Sequence, residues 1–307
     1  MRIPAYLNLP GEVLKQRLEE IRHRASPCIL CPRHCRVHRM EGEKGFCKTG
    51  ILPIISSYGP HHGEEEPISG KHGSGTIFFT HCTMQCIFCQ NFEISRGFSS
   101  QEIPVETLAE IYIRLQDLGC HNINLVTPSH QLPAILEALI LAIEKGLHIP
   151  LVYNTGGYDD PETLRLLDGI IDIYMPDFKF SNPSTGKILA GVPDYPEQGK
   201  SAIREMHNQV GDLQIEGGIA VRGLLIRYLI LPGFVDECTG IFRFIAQDIS
   251  RNTWINIMDQ YHPAGDVREY CPENFLSLQR RILNSEVKTA YQIAAGFGLS
   301  RGFTQFR

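Results

Sequence analysis

Three cysteines at CxxxCxxC spacing, Cys82, Cys86 and Cys89 in "HCTMQCIFCQN" (residues 81–91), are the residues of this chain whose types and spacing most plainly allow chemistry. No fourth cysteine follows within reach. A closed tetrahedral metal site takes four ligands, and a [4Fe–4S] cluster held by protein alone takes four thiolates. Three readings meet the shortfall. Zinc could draw a fourth ligand from His81 or His121 and remain structural. A dithiol couple could use the CxxC alone, which leaves Cys82 without a purpose. A cluster on three thiolates leaves one iron open, as a catalytic metal site does, for a substrate or cofactor.

A second group, Cys28, Cys31, Cys35 and Cys47 in "SPCILCPRHCRVHRMEGEKGFC", runs C-x2-C-x3-C-x11-C. Its spacing fits structural zinc or a second iron–sulfur cluster, and His34 or His38 could replace a thiolate. Iron–sulfur is preferred, because the other cluster already demands protection from oxygen. The chain holds ten cysteines in all. "LNLPGEVLKQRLEEIRHRAS" near the N-terminus is a charged amphipathic helix without an apolar signal core, and the most apolar run, "GLLIRYLILPGF", carries Arg227 in its middle. We therefore expect a cytoplasmic protein with no membrane partner. In that compartment thiols stay reduced, so the cysteines point to metal or redox chemistry rather than a disulfide framework. Cys120, alone between a helix pattern and a strand pattern, reads as a small buried hydrophobe. A net charge of −5 recommends no nucleic-acid partner.

The elements that must position these residues follow from periodicity. The 307 residues, 43% hydrophobic and 21% charged, suffice for one large α/β domain and a small appendage. From about residue 75, apolar runs alternate with helical patterns six times. The runs are "GTIFFT", "NINLVTP", "PLVYNT", "IDIYMPDFKF", "RGLLIRYLILPG" and "WINIMDQYHP". Such alternation means βαβ units and a parallel sheet. Six units rather than eight predict an open, partial (βα)6 TIM-type barrel over 71–307. It is preceded over 1–70 by an N-terminal helix and a small cysteine-rich, metal-binding module. A flat doubly wound sheet is the alternative.

Either way, chemistry collects at the C-terminal ends of the strands. The cysteine trio lies directly after the first strand. Thr127 and Ser129 follow the second, Asn154 the third, and Asp177 and Lys179 the fourth. Arg227 is inside the fifth and His262 follows the sixth. Each alone could be a turn former or surface charge; together they form a ligand cradle. S-adenosylmethionine can fill an open iron position through its amino and carboxylate groups. One electron passed to its sulfonium then breaks the C5′–S bond and releases a 5′-deoxyadenosyl radical. Phe88, just before the last cysteine, suits the neighbourhood of the adenine.

These residues carry a resemblance. CxxxCxxC after strand one, with an aromatic before the last cysteine, resembles the radical S-adenosylmethionine superfamily. More closely, the chain is similar to the iron–sulfur proteins related to the pyruvate formate-lyase activating enzyme, the PflX-like group. The matching stretches include "CILCPRHCRVHRMEGEKGFC", "HHGEEEPISGKHGSGTIFF", "HNINLVTPSH", "YNTGGYD", "DIYMPDFKF" and "MDQYHP". The resemblance implies that Cys82, Cys86 and Cys89 bind the cluster and that Asn154 stands where a ribose-contacting Asp is usual. It implies that Asp177 and Lys179 meet the ribose and the methionyl carboxylate, and that Arg227 and His262 lie near the cofactor. Activating enzymes hold the methionyl amino group with a Gly-Gly-Glu turn; "VTPSHQ" stands here instead, so Ser129 or a backbone carbonyl must substitute. The activity so implied is hydrogen abstraction. The leading substrate is a glycine of a glycyl radical enzyme, the runner-up a peptide or small molecule, and a flavodoxin- or ferredoxin-type protein is the reductant. The reading from another class is a two-cluster electron-transfer or redox-sensing protein.

Three weaker signals complete the reading. "SGKHGSG" fails as a phosphate loop, because Glu65 stands at the first Gly and His72 after the Lys, and reads as a turn feeding the first strand. "HHGEEE" reads as a solvated charged loop. Trp254 reads as core.

Overall fold

The first parallel strand is preceded by chain that also joins its sheet. The computed structural model describes residues 3–269 and 271–303. Helix α1 (Gly11–Arg24) leads into the cysteine-bearing loop and then into strand β1 (Ile54–His61). A short helix α2 (Glu66–Ser69) turns the chain into β2 (Ser74–Phe79), antiparallel to β1. Gly70 and Gly73 stand at φ 46° and 83° in that turn, a backbone region glycine enters at little cost. The glycine turn therefore does feed a strand. Helix α3 (Phe92–Arg96) and the two-residue β3 (Gln101–Glu102), which pairs with β1, follow the cysteine trio.

Beyond them the expected alternation is present. Helix α4 (Val105–Asp117) precedes β4 (Ile123–Val126), and α5 (Leu132–Glu144) precedes β5 (Leu151–Thr155). Then come α6 (Pro161–Arg165), β6 (Ile173–Pro176), α7 (Pro183–Ala190) and α8 (Tyr195–Val210). The chain ends its alternation with β7 (Gln214–Glu216), β8 (Ile219–Leu229), α9 (Glu237–Phe244), β9 (Trp254–Met258) and α10 (Asn284–Gly296). Six strands, β2, β4, β5, β6, β8 and β9, lie side by side in chain order and all parallel. The remaining edge of β2 carries β1. The result is a mixed α/β fold on a central sheet, with the strand order of an open six-unit barrel.

Alternation along each strand sorts two cores. The larger packs the outer face of the sheet against the helices and includes Cys120. A small cluster of Ile68, Val152, Ile173, Met175 and Leu225, with Trp254 against it, lies on the other face. Val152 and Asn154, Met175 and Asp177, and Leu225 and Arg227 are each two residues apart. The candidate site residues therefore share the inner face with this cluster, further toward the C-terminal ends. Ile68 belongs to α2, between β1 and β2, so that segment lies under the N-terminal end of the inner face. The cysteine-bearing loop is tied down by Asp160, which accepts from Arg24 (2.6 Å) and contacts His34 (3.1 Å).

Candidate active site

The loop after β2 holds the trio in a turn that ordinary residues rarely adopt. His81 and Gln85 sit at φ 64° and 53°, and such left-handed backbone at non-glycine positions costs about 1–3 kcal/mol each. Contacts from several elements hold it there. Ile87 N–H donates to the Leu189 carbonyl of α7 (2.9 Å), Arg33 Nε to the Thr83 carbonyl (2.7 Å) and Arg96 to the Gln85 side chain (2.8 Å). Met84 N–H points at Cys82 Sγ (3.4 Å). After β9 the chain passes so close that a Cβ on Gly265 would meet the Ile87 carbonyl at 2.7 Å.

The three thiols open on one cavity of about 270 Å³ at the C-terminal end of the strands. Its walls also carry Phe88, Thr127, Asn154, Asp177, Lys179 and Arg227. Phe88 packs edge-to-face on Phe180 at 6.0 Å between centroids. Asp177 lies between two cations, Lys179 Nζ at 2.5 Å and Arg227 Nε at 2.8 Å. Burial works against its ionisation, but Arg227 and Lys179 outweigh it and hold the carboxyl below its ordinary range. Burial likewise opposes charge on Lys179, and Asp177 outweighs it, so the ammonium is held more firmly than usual. Burial pushes the Cys86 thiol up to about 12, although Lys179 pulls the other way, and it raises Cys82 too. Metal binding must displace these protons.

Tyr195 of α8 fixes the strand tips. Its hydroxyl accepts from the Lys179 N–H (2.8 Å) and shares its own proton between the carbonyls of Gly156 and Asp177 (2.9 Å each). Gly157, at φ 77°, brings the β5 tip so near β6 that a Cβ would meet the Asp177 carbonyl at 2.3 Å. The Thr127 N–H, also left-handed at φ 60°, donates to the Asn154 carbonyl (2.8 Å).

Two expected site residues lie apart from this wall. Ser129 is buried outside the cavity, its hydroxyl donating to Asp159, which also accepts from Tyr153 (2.9 Å) and Thr155 (2.6 Å). A hydroxyl so engaged is no stand-in for the Gly-Gly-Glu turn, whereas Thr127 lines the cavity at the same strand tip. His262 lies beyond the wall, its Nδ1 3.3 Å from the Pro263 carbonyl. "HHGEEE" needs correction as well. Glu64 leaves only 9% of its side chain exposed and reaches Arg227 (3.3 Å), Asn124 (3.0 Å) and Asn154 (3.5 Å), while Glu65 accepts from Asn256 (2.8 Å). Burial raises the Glu64 carboxyl, with Arg227 in opposition. Arg227 in turn donates to Asn154 Oδ1 (2.7 Å). The carboxylates of the segment under the barrel thus complete the inner polar layer.

A soft three-thiolate donor set beside a carboxylate–ammonium pair, an amide and an aromatic ring fits an iron–sulfur cluster with a polar organic ligand next to it. Residues 76–245, more than half of the chain, match the Radical SAM superfamily model. The chain is 31% identical over 306 residues to "Uncharacterized protein MJ0674" of Methanocaldococcus jannaschii, covering 96% of this chain and 80% of that one. The chain belongs to the radical SAM superfamily. Membership implies an enzyme with a [4Fe–4S] cluster and S-adenosylmethionine. Among solved structures it is similar to HydG, a maturase of the [FeFe]-hydrogenase, with 10% identity and a TM-score of 0.49 over 96% of this chain and 64% of that one. The chain thus spans less than two thirds of that protein, and the likeness is too remote to bear on activity. No described helix is long and apolar enough to cross a membrane.

Proposed function

We propose that the chain binds S-adenosylmethionine against the Cys82–Cys86–Cys89 loop and uses it to abstract a hydrogen atom from a glycine residue of a partner protein, as an activating enzyme does. The observation that carries this reading is the single cavity shared by the three thiols, Lys179, Asp177, Asn154 and Phe88. When bound, the cluster and cofactor supply reductive cleavage of the sulfonium and a 5′-deoxyadenosyl radical. The chain's own residues bind and orient. Lys179 presents a cation to the methionyl carboxylate, Asp177 presents an ionised carboxylate to ribose hydroxyls, and Asn154 adds an amide beside it. Phe88 supplies an apolar face, and Thr127 stands where the methionyl amino group needs a polar neighbour. The electron comes from a flavodoxin- or ferredoxin-type protein in the cytoplasm, without nucleic acid or membrane. "VTPSHQ" in place of the Gly-Gly-Glu turn favours, as the second reading, a peptide or small-molecule substrate on the same machinery.

Anaerobic reconstitution tests the reading. The protein should bind an oxygen-sensitive [4Fe–4S] cluster whose reduced EPR spectrum changes on adding S-adenosylmethionine, and it should release 5′-deoxyadenosine. Cys86→Ala should lose that signal. A spectrum indifferent to the cofactor would favour an electron-transfer or redox-sensing protein instead. A glycyl radical signal in an added glycyl radical enzyme would separate the two substrate readings.

A further inference from the structure

Cys28, Cys31, Cys35 and Cys47 line a second, smaller cavity together with Arg39 and Thr83. The four sulfurs lie near enough for Cys47, Cys28 and Cys35 each to act electrostatically on the Cys31 thiol. The backbone N–H groups of Leu30 and Arg33, two residues on, face the Cys28 and Cys31 sulfurs, as that of Met84 faces Cys82 in the trio. Gly45 leaves the Cys35 sulfur its place, since a Cβ there would stand 2.5 Å from Cys35 Sγ and push it aside.

Arg39 points to what fills the space. It is 2% exposed, and its Nη2 donates to the carbonyls of Gly50 (2.9 Å) and His130 (2.7 Å). Nη1 is buried without a partner, and among the described residues no carboxylate forms an ion pair with this guanidinium. A buried guanidinium with no carboxylate beside it is uncompensated, which is unfavourable. A metal centre on four thiolates carries net negative charge and supplies the missing partner. Among the described residues no group of three or more His, Cys, Asp or Glu side chains closes on a single ion. A cubane cluster makes no such demand, since each thiolate meets its own iron.

The two cavities are one residue apart along the chain. Thr83 lines the quartet's cavity, while Cys82 and Met84 line the trio's. On the outer side Cys35 is exposed, whereas Cys28, Cys31 and Cys47 are buried. We propose that Cys28, Cys31, Cys35 and Cys47 hold a second [4Fe–4S] cluster, balanced by Arg39, that passes electrons one at a time to the cluster on Cys82, Cys86 and Cys89. A one-electron donor of the flavodoxin or ferredoxin class reduces the quartet's cluster from 2+ to 1+ at the Cys35 side. That cluster returns to 2+ as the trio's goes from 2+ to 1+, and no bond or proton moves. The relay, though not the second site, rests on the function proposed above.

The test measures iron, sulfide and zinc in the anaerobically reconstituted full chain and in the Cys31→Ala/Cys47→Ala variant. Iron should fall from roughly eight to roughly four per chain. With a reduced flavodoxin as donor, S-adenosylmethionine cleavage should fall by roughly tenfold or more, while with dithionite, a small reductant that reaches the trio directly, it should stay within roughly twofold. Arg39→Met, which removes no ligand and guards against a merely misfolded variant, should keep the iron and shift the quartet's potential to more negative values. Zinc in place of iron, no iron lost from the double variant, or equal losses with both donors would overturn the proposal. No cleavage with either donor would remove the enzyme reading and the relay together, and the iron count would still decide the second site.

Discussion

Asp177 stands between two cations, and the two are not equivalent. Arg227 is also bound to Glu64 and Asn154, so its charge is committed to the protein, whereas among the described residues the Lys179 ammonium has Asp177 as its one side-chain hydrogen-bond partner. Lys179 is therefore the cation free to turn toward a ligand carboxylate, a contact of about 1.5–3 kcal/mol. Lys179→Ala should weaken S-adenosylmethionine binding roughly ten- to a hundredfold and leave cluster content intact; an unchanged dissociation constant in titration would remove Lys179 from the site. Arg227→Met should act on stability instead, because it strands the Glu64 carboxylate and half of Asp177's pairing in a buried layer, at about 3–5 kcal/mol in urea denaturation. Adding Glu64→Gln to it should recover part of that loss. The two carboxylates also respond oppositely to pH. The Asp177 carboxyl is held low, so its contribution is present above the unfolded value and lost as pH falls through the folded one. The Glu64 carboxyl is raised by burial, so its contribution is present at low pH and lost as pH rises through its folded value. The unaltered protein should gain stability on mild acidification through this group, and Glu64→Gln should remove that gain, as urea denaturation at a series of pH values would read.

At the scale of elements, α8 sets the spacing of the strand tips through a single hydroxyl. Tyr195→Phe leaves the Lys179 N–H and two carbonyls short of a partner in a buried place. It should weaken S-adenosylmethionine binding with iron content and the trio's ligands unaltered; binding equal to the unaltered protein would show that β5 and β6 hold their tips without it. The six parallel strands and α4, α5 and α10 were legible because each carries a mostly apolar run or a helical period. Helix α7 was not, since Pro183–Ala190 is short and mostly small or polar residues, and α8 begins at Tyr195, earlier than its apolar period. That the trio, Asn154, Asp177, Lys179 and Arg227 meet at one cavity was legible from their places at strand ends. Glu64 was hidden because its partner Arg227 lies 163 residues further on, and a run of three glutamates reads as solvated until that partner is known. Ser129 misled for the reverse reason: it follows a strand tip, but Asp159 draws its hydroxyl away.

For the molecule as a whole, the segment of Glu64, Glu65 and Ile68 closes the barrel from below, so a ligand enters from the strand tips, where the trio lies. The strand that joins the sheet outside the parallel set has a different consequence, for solubility. Every residue of β2 but one is buried, and its outer edge would present a row of unpaired backbone groups to any other chain. Strand β1 covers that edge and is itself a poor template. It carries Pro60, an irregular register between Ile55 and Ser57, and mostly half-buried or exposed residues past Ile55. A chain beginning at residue 71 should therefore self-associate even though it keeps all six parallel strands and the trio. Light scattering on that shortened chain checks the point, and a stable monomer would show that the barrel protects its own edge. Segments that contribute no catalytic group can thus decide whether an enzyme stays in solution, by denying its neighbours a strand to pair with.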